Sequence, residues 1–293
     1  MTESTILVVG AGGVVGTALV PALTARGVRV RAMTRDPQRR FGGAQIAVGD
    51  LRVPSSFGPA LDGVDTVFLN TPSTEDAAEL QIRFAEVAAR SSVRRIVLLS
   101  QYGADVDSPV RFLRWHAEVE EHLRTLSPAL TVLRPNLYLQ SLLGFASTIA
   151  AGTLPAPAGD AAVSAIDTRD VAESAAVALT DRSFDGRILT LTGPRAVTHG
   201  EIAAALSAAV GAPIGYQDVP AEVFAGALTG LLPAWQVGGL VEDYAHYARG
   251  EAAEVTDAVA ELTGHPARDV ADFARDHAAA FIARDHAAAF IAR

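Results

Sequence analysis

The chain has 293 residues, of which 49% are hydrophobic and 19% charged, enough to bury a large core as one extended α/β domain or as a main domain with a smaller companion. It contains no cysteine, which excludes disulfides, thiolate metal sites and a cysteine nucleophile. All its basic residues are arginine, which excludes a lysine-dependent phosphate loop, and its net charge of −9 argues against a nucleic-acid partner.

The chain starts with four polar or neutral residues and a short apolar run, without the charged and long apolar regions of a secretory signal. No apolar stretch approaches the roughly 20 residues that a membrane-spanning helix needs. We therefore expect a cytoplasmic protein that has no membrane partner. The number of subunits stays open.

Over the first half of the chain, short runs rich in Val, Ile and Leu alternate with helical stretches, which indicates βαβ units and a parallel sheet. Their continuous apolar character is typical of strands covered by helices on both faces. We predict strands at residues 6–9, 28–33, 46–48, 66–69, 95–99 and 130–133. Between the fourth and fifth strands, Ser73 is predicted to cap a helix.

The second half of the chain is less regular. Residues 152–157 contain glycine and two prolines and are predicted to form a loop, and residues 188–192 are predicted to form another strand before a mainly helical remainder. We expect a main domain at residues 1–150, to which 160–192 return, and a smaller subdomain at 193–275. Residues 276–293 are a duplicated tail, because 276–284 and 285–293 are identical; a shift of nine residues rotates the second copy to the opposite helix face, so we expect it to be held loosely.

A glycine-rich loop directly follows the first predicted strand and opens a helix. Glycine permits a tight turn and lets backbone N–H groups approach a diphosphate, which the helix N-terminus attracts. The spacing differs from the G-x-G-x-x-G form of conventional dehydrogenases, because a valine occupies the place of the third glycine. The pattern predicts a dinucleotide site, with an incidental glycine turn as the alternative; its residues are Gly10, Gly12, Gly13, Val14, Val15 and Gly16.

Arg35 comes after the second predicted strand, where an acidic residue holds the ribose of NAD or an arginine pairs with the 2′-phosphate of NADP. A planar guanidinium is suited to bidentate contact with a phosphate, so NADP(H) is the favoured cofactor. Arg39 and Arg40 follow in the same segment. Asp36 keeps NAD(H) as an alternative, and a solvated arginine cluster without a ligand is another.

These motifs resemble the NmrA-like branch of the atypical short-chain dehydrogenases, which includes NAD(P)H:quinone oxidoreductases, triphenylmethane reductases and redox-sensing transcriptional regulators. The resemblance covers nearly the whole chain. It implies a Rossmann-type α/β fold, with a doubly wound parallel sheet and a smaller, mainly helical C-terminal subdomain that binds substrate. The residues that carry it are 10–16, Arg35, 49–51, 95–104, 133–136 and 167–172.

The resemblance also implies positions for the cofactor. In relatives, the equivalents of Asp50 and Leu51 flank the adenine, and those of Asn70, Thr71 and Ser100 lie along the cofactor. The equivalents of Pro135 and Asn136 approach the nicotinamide. From the residues alone, each of these positions has a structural alternative to a cofactor contact. Asp50 is suited to a turn or a cap, and Ser100 to the end of a strand.

Conventional members of the superfamily use a Tyr-x-x-x-Lys pair, in which the phenol donates a proton. When this sequence is aligned with them, Phe112 takes the tyrosine position and His116 the lysine position, so the usual carbonyl-reductase mechanism is in doubt. His116 is a candidate ribose ligand or proton donor, or it simply pairs with Glu120 one turn away. Tyr102 and Tyr138 are further candidates for the substrate space, with packing as the alternative. No motif indicates a metal site.

An electron-poor acceptor such as a quinone needs little acid catalysis, because the cofactor supplies the demanding step. We therefore expect an NADP(H)-dependent reductase of a small, planar, apolar substrate. Residues 137–145 and the helices around Phe224, Leu231, Trp235 and Tyr244 would wall its pocket. Two alternatives remain: a non-catalytic dinucleotide sensor that reports redox state to a protein partner, and a pathway-specific enzyme that uses the cofactor for other chemistry.

Overall fold

In a computed structural model of the chain, which describes residues 4–71 and 73–282, the residues cluster into two units. Unit 1 contains the described residues up to Pro135, together with Thr168–Leu191 and Ala258–His265. Unit 2 contains Asn136–Asp167, Thr192–Asp257 and the described residues from Pro266 onward. The chain therefore passes between the units several times.

The helices and strands are numbered in chain order across both units. The strands are β1 Thr5–Val8, β2 Arg29–Thr34, β3 Gln45–Val48, β4 Thr66–Leu69, β5 Arg95–Leu99, β6 Ala129–Pro135, β7 Thr153–Ala156, β8 Ala162–Val163, β9 Ile188–Leu191, β10 Val197–Thr198 and β11 Gly215–Asp218. The α-helices are α1 Val14–Ala25, α2 Phe57–Leu61, α3 Ala77–Ala89, α4 Arg111–Arg124, α5 Ala146–Ala150, α6 Thr168–Thr180, α7 His199–Val210, α8 Ala221–Leu228, α9 Ala234–Ala248, α10 Ala258–Thr263 and α11 Val270–His277.

Unit 1 is built on a seven-stranded sheet in the order β3-β2-β1-β4-β5-β6-β9. Every neighbouring pair of strands in this sheet is parallel. The strand order runs outward from β1 in both directions, so a crevice opens at the carboxyl ends of β1 and β4, where doubly wound folds bind ligands. The predicted Rossmann-type α/β class is confirmed.

The core of unit 1 explains why the apolar runs form strands. All residues of β1, β4 and β5 are buried, because helices cover the sheet and leave no face in water. Phe57 of α2 meets Phe84 of α3 edge to face, with ring centroids 5.1 Å apart, and both side chains are fully buried. The predicted strands of this unit lie within two residues of the observed ones.

Two local predictions are wrong. Ser73 does not cap a helix: α3 begins at Ala77 after Asp76, whose carboxylate pairs with Arg52 in the segment between β3 and α2. Residues 152–157 contain a strand, β7, which pairs in parallel with β11 at the register Thr153↔Gly215. Its partner lies about 60 residues further along the chain, so the local glycine and proline pattern did not reveal the pairing.

Unit 2 contains two small sheets, β10-β8 and β11-β7, and is otherwise mainly helical. Helix α7 begins with a capping box, in which Thr198 and Glu201 satisfy each other's backbone N–H groups. The first copy of the duplicated nonapeptide contains a packed residue, Phe281, which is 1% exposed. The second copy lies outside the described residues. None of the helices in residues 4–71 and 73–282 has the length and apolar character required to cross a membrane.

Candidate functional site

The glycine loop between β1 and α1 is shaped by close backbone contacts. Gly10 has φ +77°, and a side chain on it would place its Cβ 2.7 Å from the carbonyl oxygen of Asn70. A Cβ on Gly16 would lie 2.2 Å from the carbonyl oxygen of Gly10. Both positions therefore require glycine, because any side chain would collide with main-chain atoms.

The start of α1 presents free N–H groups next to this loop. Gly13 has extended backbone, so the helix begins at Val14 immediately after it, and its first turn contains no acidic residue. A Cβ on Gly13 would meet only the Gly10 oxygen at 3.3 Å and the Asn70 side chain at 3.9 Å, so this side of the loop is open. Val15 is buried, whereas Val14 is 57% exposed. The loop and helix therefore fit the diphosphate of a dinucleotide.

Arg39, rather than Arg35, lies against the loop. Its Nη2 atom donates to the carbonyl oxygen of Gly12 at 3.3 Å, and its guanidinium carbon lies 5.2 Å from the ring centre of Phe41. Arg35 is exposed just past β2; within the described residues it makes no hydrogen bond or ion pair. Arg39 is therefore the guanidinium that contacts the loop, and the pairing of Arg35 with a 2′-phosphate stays a prediction.

Asp36, after β2, and Asp50, after β3, each accept a backbone N–H group in a local turn. Asp36 accepts the backbone N–H of Gln38 at 2.8 Å, which leaves less of its carboxylate available for a ribose. Asp50 accepts the N–H of Arg52 at 2.9 Å, the turn role that the sequence left open, and Leu51 is buried in the core of unit 1. One carboxylate oxygen of Asp36 is engaged in its turn, and the preference for NADP(H) over NAD(H) stays a prediction.

At the end of β4, Asn70 and Thr71 are half-buried beside the glycine loop. The Thr71 hydroxyl accepts a hydrogen bond from Gln81 Nε2 at 3.0 Å. Gln81 is 4% exposed, and its Oε1 has no hydrogen-bond partner in the described part of the chain. Gln81 was missed at the sequence level; its only signal was a polar residue on the apolar face of a predicted helix.

Ser100, at the end of β5, donates its hydroxyl hydrogen to Glu120 Oε1 at 2.6 Å. Glu120 is 0% exposed and also accepts two hydrogen bonds from Arg134, at 2.8 and 2.7 Å, and one from Arg124 at 2.7 Å. The Ser100 hydroxyl hydrogen therefore points to a buried carboxylate. Sequence reasoning had considered Glu120 only as a partner of His116, and no hydrogen bond joins those two within the described residues.

His116 is half-buried on α4. Burial lowers its pKa to about 4, with Arg134 acting in the same direction and Glu120 opposing it. The imidazole is therefore neutral at pH 7 and is able to hydrogen-bond, but an imidazolium is scarce. Phe112, one turn earlier, lies 5.5 Å from Trp115 between ring centroids. Tyr102 is largely buried, and its N–H donates to the Pro135 carbonyl oxygen at 2.8 Å.

In unit 2, the amide of Asn136 is fully engaged. Its Nδ2 donates to Ser164 Oγ at 2.8 Å and to the Ala252 carbonyl oxygen at 2.9 Å, and its Oδ1 accepts the N–H of Leu137 at 2.8 Å. This side chain ties segments of unit 2 together, and a contact with the nicotinamide stays a prediction. Burial raises the pKa of Tyr138, so its phenol remains protonated.

Unit 2 also contains an aromatic cluster, here defined as Phe145, Phe224 and Tyr244. Phe145 and Phe224 stack with ring centroids 6.1 Å apart, and Tyr244 meets Phe224 edge to face at 4.9 Å. Phe224 is buried, whereas Phe145 and Tyr244 are half-buried. Of the other predicted wall residues, Leu231 is 76% exposed and Trp235 is half-buried on α9.

Three potential metal ligands, Asp170, Glu173 and His265, lie within 4.8 Å of one another in unit 1. His265 Nε2 lies 2.8 Å from Glu173 Oε2, which is the distance of a direct hydrogen bond. Glu173 and His265 are therefore hydrogen-bond partners of each other, and we assign no metal ion to the three residues.

The NmrA-like family model matches residues 2–262. The chain belongs to the NmrA-like family. Among the relatives of the chain, an NAD(P)H azoreductase from Xenophilus azovorans is 37% identical, over 94% of this chain and 99% of its own. A (4-alkanoyl-5-oxo-2,5-dihydrofuran-3-yl)methyl phosphate reductase from Streptomyces griseus is 34% identical, over 94% and 99%. The structure of an NADPH-dependent quinone oxidoreductase from Escherichia coli, complexed with NADPH, superposes with a TM-score of 0.85 at 24% identity, covering 92% of this chain and 99% of that one.

Proposed function

We propose that the protein is an NADPH-dependent reductase of small, planar, electron-poor acceptors, with quinones and azo compounds as the substrate class. The observation that carries the proposal is the glycine loop at the start of α1, which Arg39 contacts at Gly12. The curated relatives add the chemistry, since the two most similar ones described above are named as reductases. Their named acceptors share an unsaturated group that accepts a hydride readily.

The residues around the loop would hold the cofactor. The N–H groups that follow Gly10 would bind the diphosphate, and Arg35 and Arg39 would bind the 2′-phosphate. Asn70, Thr71 and Ser100 follow β4 and β5, and Pro135 ends β6. The rest of the dinucleotide would extend along the carboxyl ends of these strands. When bound, NADPH supplies a hydride to the acceptor.

The protein's own acid chemistry is weak, and this fits such acceptors. His116 is neutral at physiological pH, and the Ser100 hydroxyl hydrogen is bound to Glu120. Tyr138 keeps its hydroxyl hydrogen, because burial raises its pKa. A quinone or azo group needs less proton donation during hydride transfer than an isolated carbonyl does, and water can protonate the reduced product.

Turnover and binding separate this proposal from a non-catalytic sensor. Purified protein would be titrated with NADPH and NADH by fluorescence, and loss of NADPH absorbance would then be followed with naphthoquinones and azo dyes. We expect tighter binding of NADPH and measurable turnover of at least one acceptor class. Tight NADPH binding without turnover across the whole panel would reject the reductase proposal.

The arginine assignment is tested with three matched variants. Arg39→Ala and Arg35→Ala should each weaken NADPH binding about tenfold and leave NADH binding within twofold, because only NADPH carries the 2′-phosphate. Arg40→Ala is the control, since the Arg40 guanidinium bonds to the carbonyl oxygens of Pro37 and Arg39. If all three variants kept the wild-type NADPH:NADH ratio, the assignment would be wrong.

A further inference from the structure

Gln81, near the start of α3, is a buried polar residue to which the proposed function gives no role. Its side chain is 4% exposed. A methionine would fill a similar space without an amide, whose burial is costly unless it is hydrogen-bonded. The reason for a glutamine at this position therefore lies in the hydrogen bond that its amide makes. The other buried positions of α3 are apolar: Leu80, Phe84, Ala85 and Ala88.

That hydrogen bond runs from Gln81 Nε2 to the Thr71 hydroxyl oxygen, over 3.0 Å. A hydroxyl has one hydrogen to donate and two lone pairs with which to accept. Because the amide N–H approaches one of these lone pairs, the hydroxyl hydrogen of Thr71 points away from Gln81. Among the described residues, Gln81 is the one hydrogen-bond partner of the Thr71 side chain. Thr71 therefore offers an oriented donor that the described part of the chain does not use.

Thr71 lies next to the glycine loop of unit 1. It comes shortly after β4, whose neighbour β1 leads into that loop. The residue before it, Asn70, borders the loop, since a Cβ on Gly10 would lie 2.7 Å from the Asn70 carbonyl oxygen. Thr71 itself is half-buried. Its hydroxyl therefore belongs to the crevice at which doubly wound folds bind ligands.

A hydroxyl donor in this crevice suits the chemistry of a dinucleotide. The diphosphate and ribose groups present acceptor oxygens, and an O–H donor to a phosphate oxygen forms a strong, charge-assisted hydrogen bond. A freely rotating hydroxyl loses that freedom when a ligand binds, whereas a hydroxyl that is already oriented does not. Since Gln81 is so deeply buried, it acts through Thr71 and does not touch the ligand.

We propose that Gln81 is a positioning residue, which makes the Thr71 hydroxyl a hydrogen-bond donor to an oxygen atom of the bound dinucleotide. The inference rests on the proposed function and adds to it a residue that sets cofactor affinity from beneath the site. An amide fits this role because it donates to Thr71. A carboxylate of the same shape only accepts, so it would draw the Thr71 hydrogen toward itself and away from the cofactor.

The test is a double-mutant cycle on the affinity of the full-length protein for NADP⁺. Gln81→Glu keeps the shape of the side chain and reverses the hydrogen bond, while Thr71→Val keeps the shape and removes the hydroxyl. The double variant shows what the added charge does without the hydroxyl. Dissociation constants are measured by calorimetry at pH 9, where the carboxyl group is ionised even when its pKa is raised by burial.

Two controls accompany the cycle. Thr71→Ser retains the hydroxyl and should bind NADP⁺ within threefold of the wild type. Gln45→Glu adds the same charge at an exposed position of β3 and should change the affinity by less than twofold. Urea unfolding of each variant shows that the protein is folded under the conditions of the binding experiment.

We expect Thr71→Val to weaken NADP⁺ binding about tenfold, because one hydrogen bond to the ligand is lost. Gln81→Glu should cost about tenfold in the wild-type background and at most about twofold in the Thr71→Val background. If Gln81→Glu does not fold, Gln81→Met decides: it frees the Thr71 hydroxyl to rotate and should cost about threefold with Thr71 present and nothing with Thr71→Val.

Three results would overturn the inference. Wild-type affinity in Thr71→Val would show that the hydroxyl does not contact the dinucleotide. Wild-type affinity in both Gln81 variants, or equal losses with and without the Thr71 hydroxyl, would leave Gln81 a packing residue. The proposed function fails separately: coupling between Gln81 and Thr71 in NADP⁺ binding, without turnover of any quinone or azo dye, would support this inference and reject the reductase.

Discussion

Replacing Glu120 should expose how strongly the ends of β5 and β6 depend on one buried carboxylate. In Glu120→Leu, Arg134 loses both of its hydrogen bonds to the carboxylate, although its side chain is only 22% exposed. Ser100, which is 4% exposed, loses the acceptor of its hydroxyl. Breaking one partner of a buried ion pair typically costs about 3–5 kcal/mol, because the remaining charge is left uncompensated.

The matched variants separate charge from packing. Glu120→Gln keeps the shape but turns an amide N–H₂ toward arginine donors, and we expect an intermediate loss of about 1–3 kcal/mol. Arg124→Ala removes the outer partner, whose side chain is 42% exposed, and should cost at most about 1 kcal/mol. The double variant Glu120→Leu/Arg134→Met should be less destabilised than the sum of its single changes, since no buried charge remains.

The assay is urea unfolding followed by circular dichroism at pH 7.5, with the NADPH dissociation constant as a second readout. We expect Glu120→Leu to lose affinity for NADPH as well as stability, because Glu120 bonds to Ser100 after β5 and to Arg134 next to Pro135 at the end of β6. A Glu120→Leu protein within about 1 kcal/mol of the wild type would contradict the reasoning, as would an Arg124→Ala variant that is equally destabilised.

Two further predictions concern the glycine loop and His199, the buried first residue of α7. Gly16→Ala should abolish NADPH binding and destabilise the fold by about 1–3 kcal/mol, because its Cβ would collide with the Gly10 carbonyl oxygen. Fluorescence titration and urea unfolding measure the two effects, and Gly58→Ala, where nothing lies within 4 Å of the added Cβ, is the control. Equal effects of the two substitutions would refute the steric argument. The His199 pKa is about 4 in the folded state against 6.5 for a free imidazole, so the unfolded chain binds the proton more readily. The contribution of His199 to stability is then fully present above pH 6.5 and falls by about 3 kcal/mol as the pH drops to 4. His116, whose pKa is also lowered to about 4, adds the same kind of loss in the wild type and in the variant. Urea unfolding of His199→Phe across this range should therefore show a smaller decline than the wild type, and an unchanged decline would contradict the pKa assignment.

Features encoded by neighbouring residues were predictable from the sequence. The apolar runs define the strands of unit 1, because a strand covered on both faces needs apolar residues at nearly every position. The glycine loop was equally readable, since the conformation at Gly10 and the contact at Gly16 demand the absence of a side chain. The family resemblance followed from these local motifs and is confirmed.

Features that depend on distant residues were decided by the tertiary structure alone. Sequence position made Arg35 the natural phosphate ligand, yet the fold of the following loop brings Arg39 onto Gly12. Glu120 is one turn from His116 in the helix, but the sheet brings Ser100 and Arg134 to it instead.

The same physical reason applies in unit 2, where β7 finds its partner about 60 residues away and α7 meets α9 through His199 and Tyr244. A sequence displays periodicity along one element, while hydrogen bonds and ring contacts between elements depend on how the whole chain folds. The sequence by itself therefore determined the sheet of unit 1 and the glycine turn that follows β1, and the tertiary structure decided which distant side chains meet within each unit.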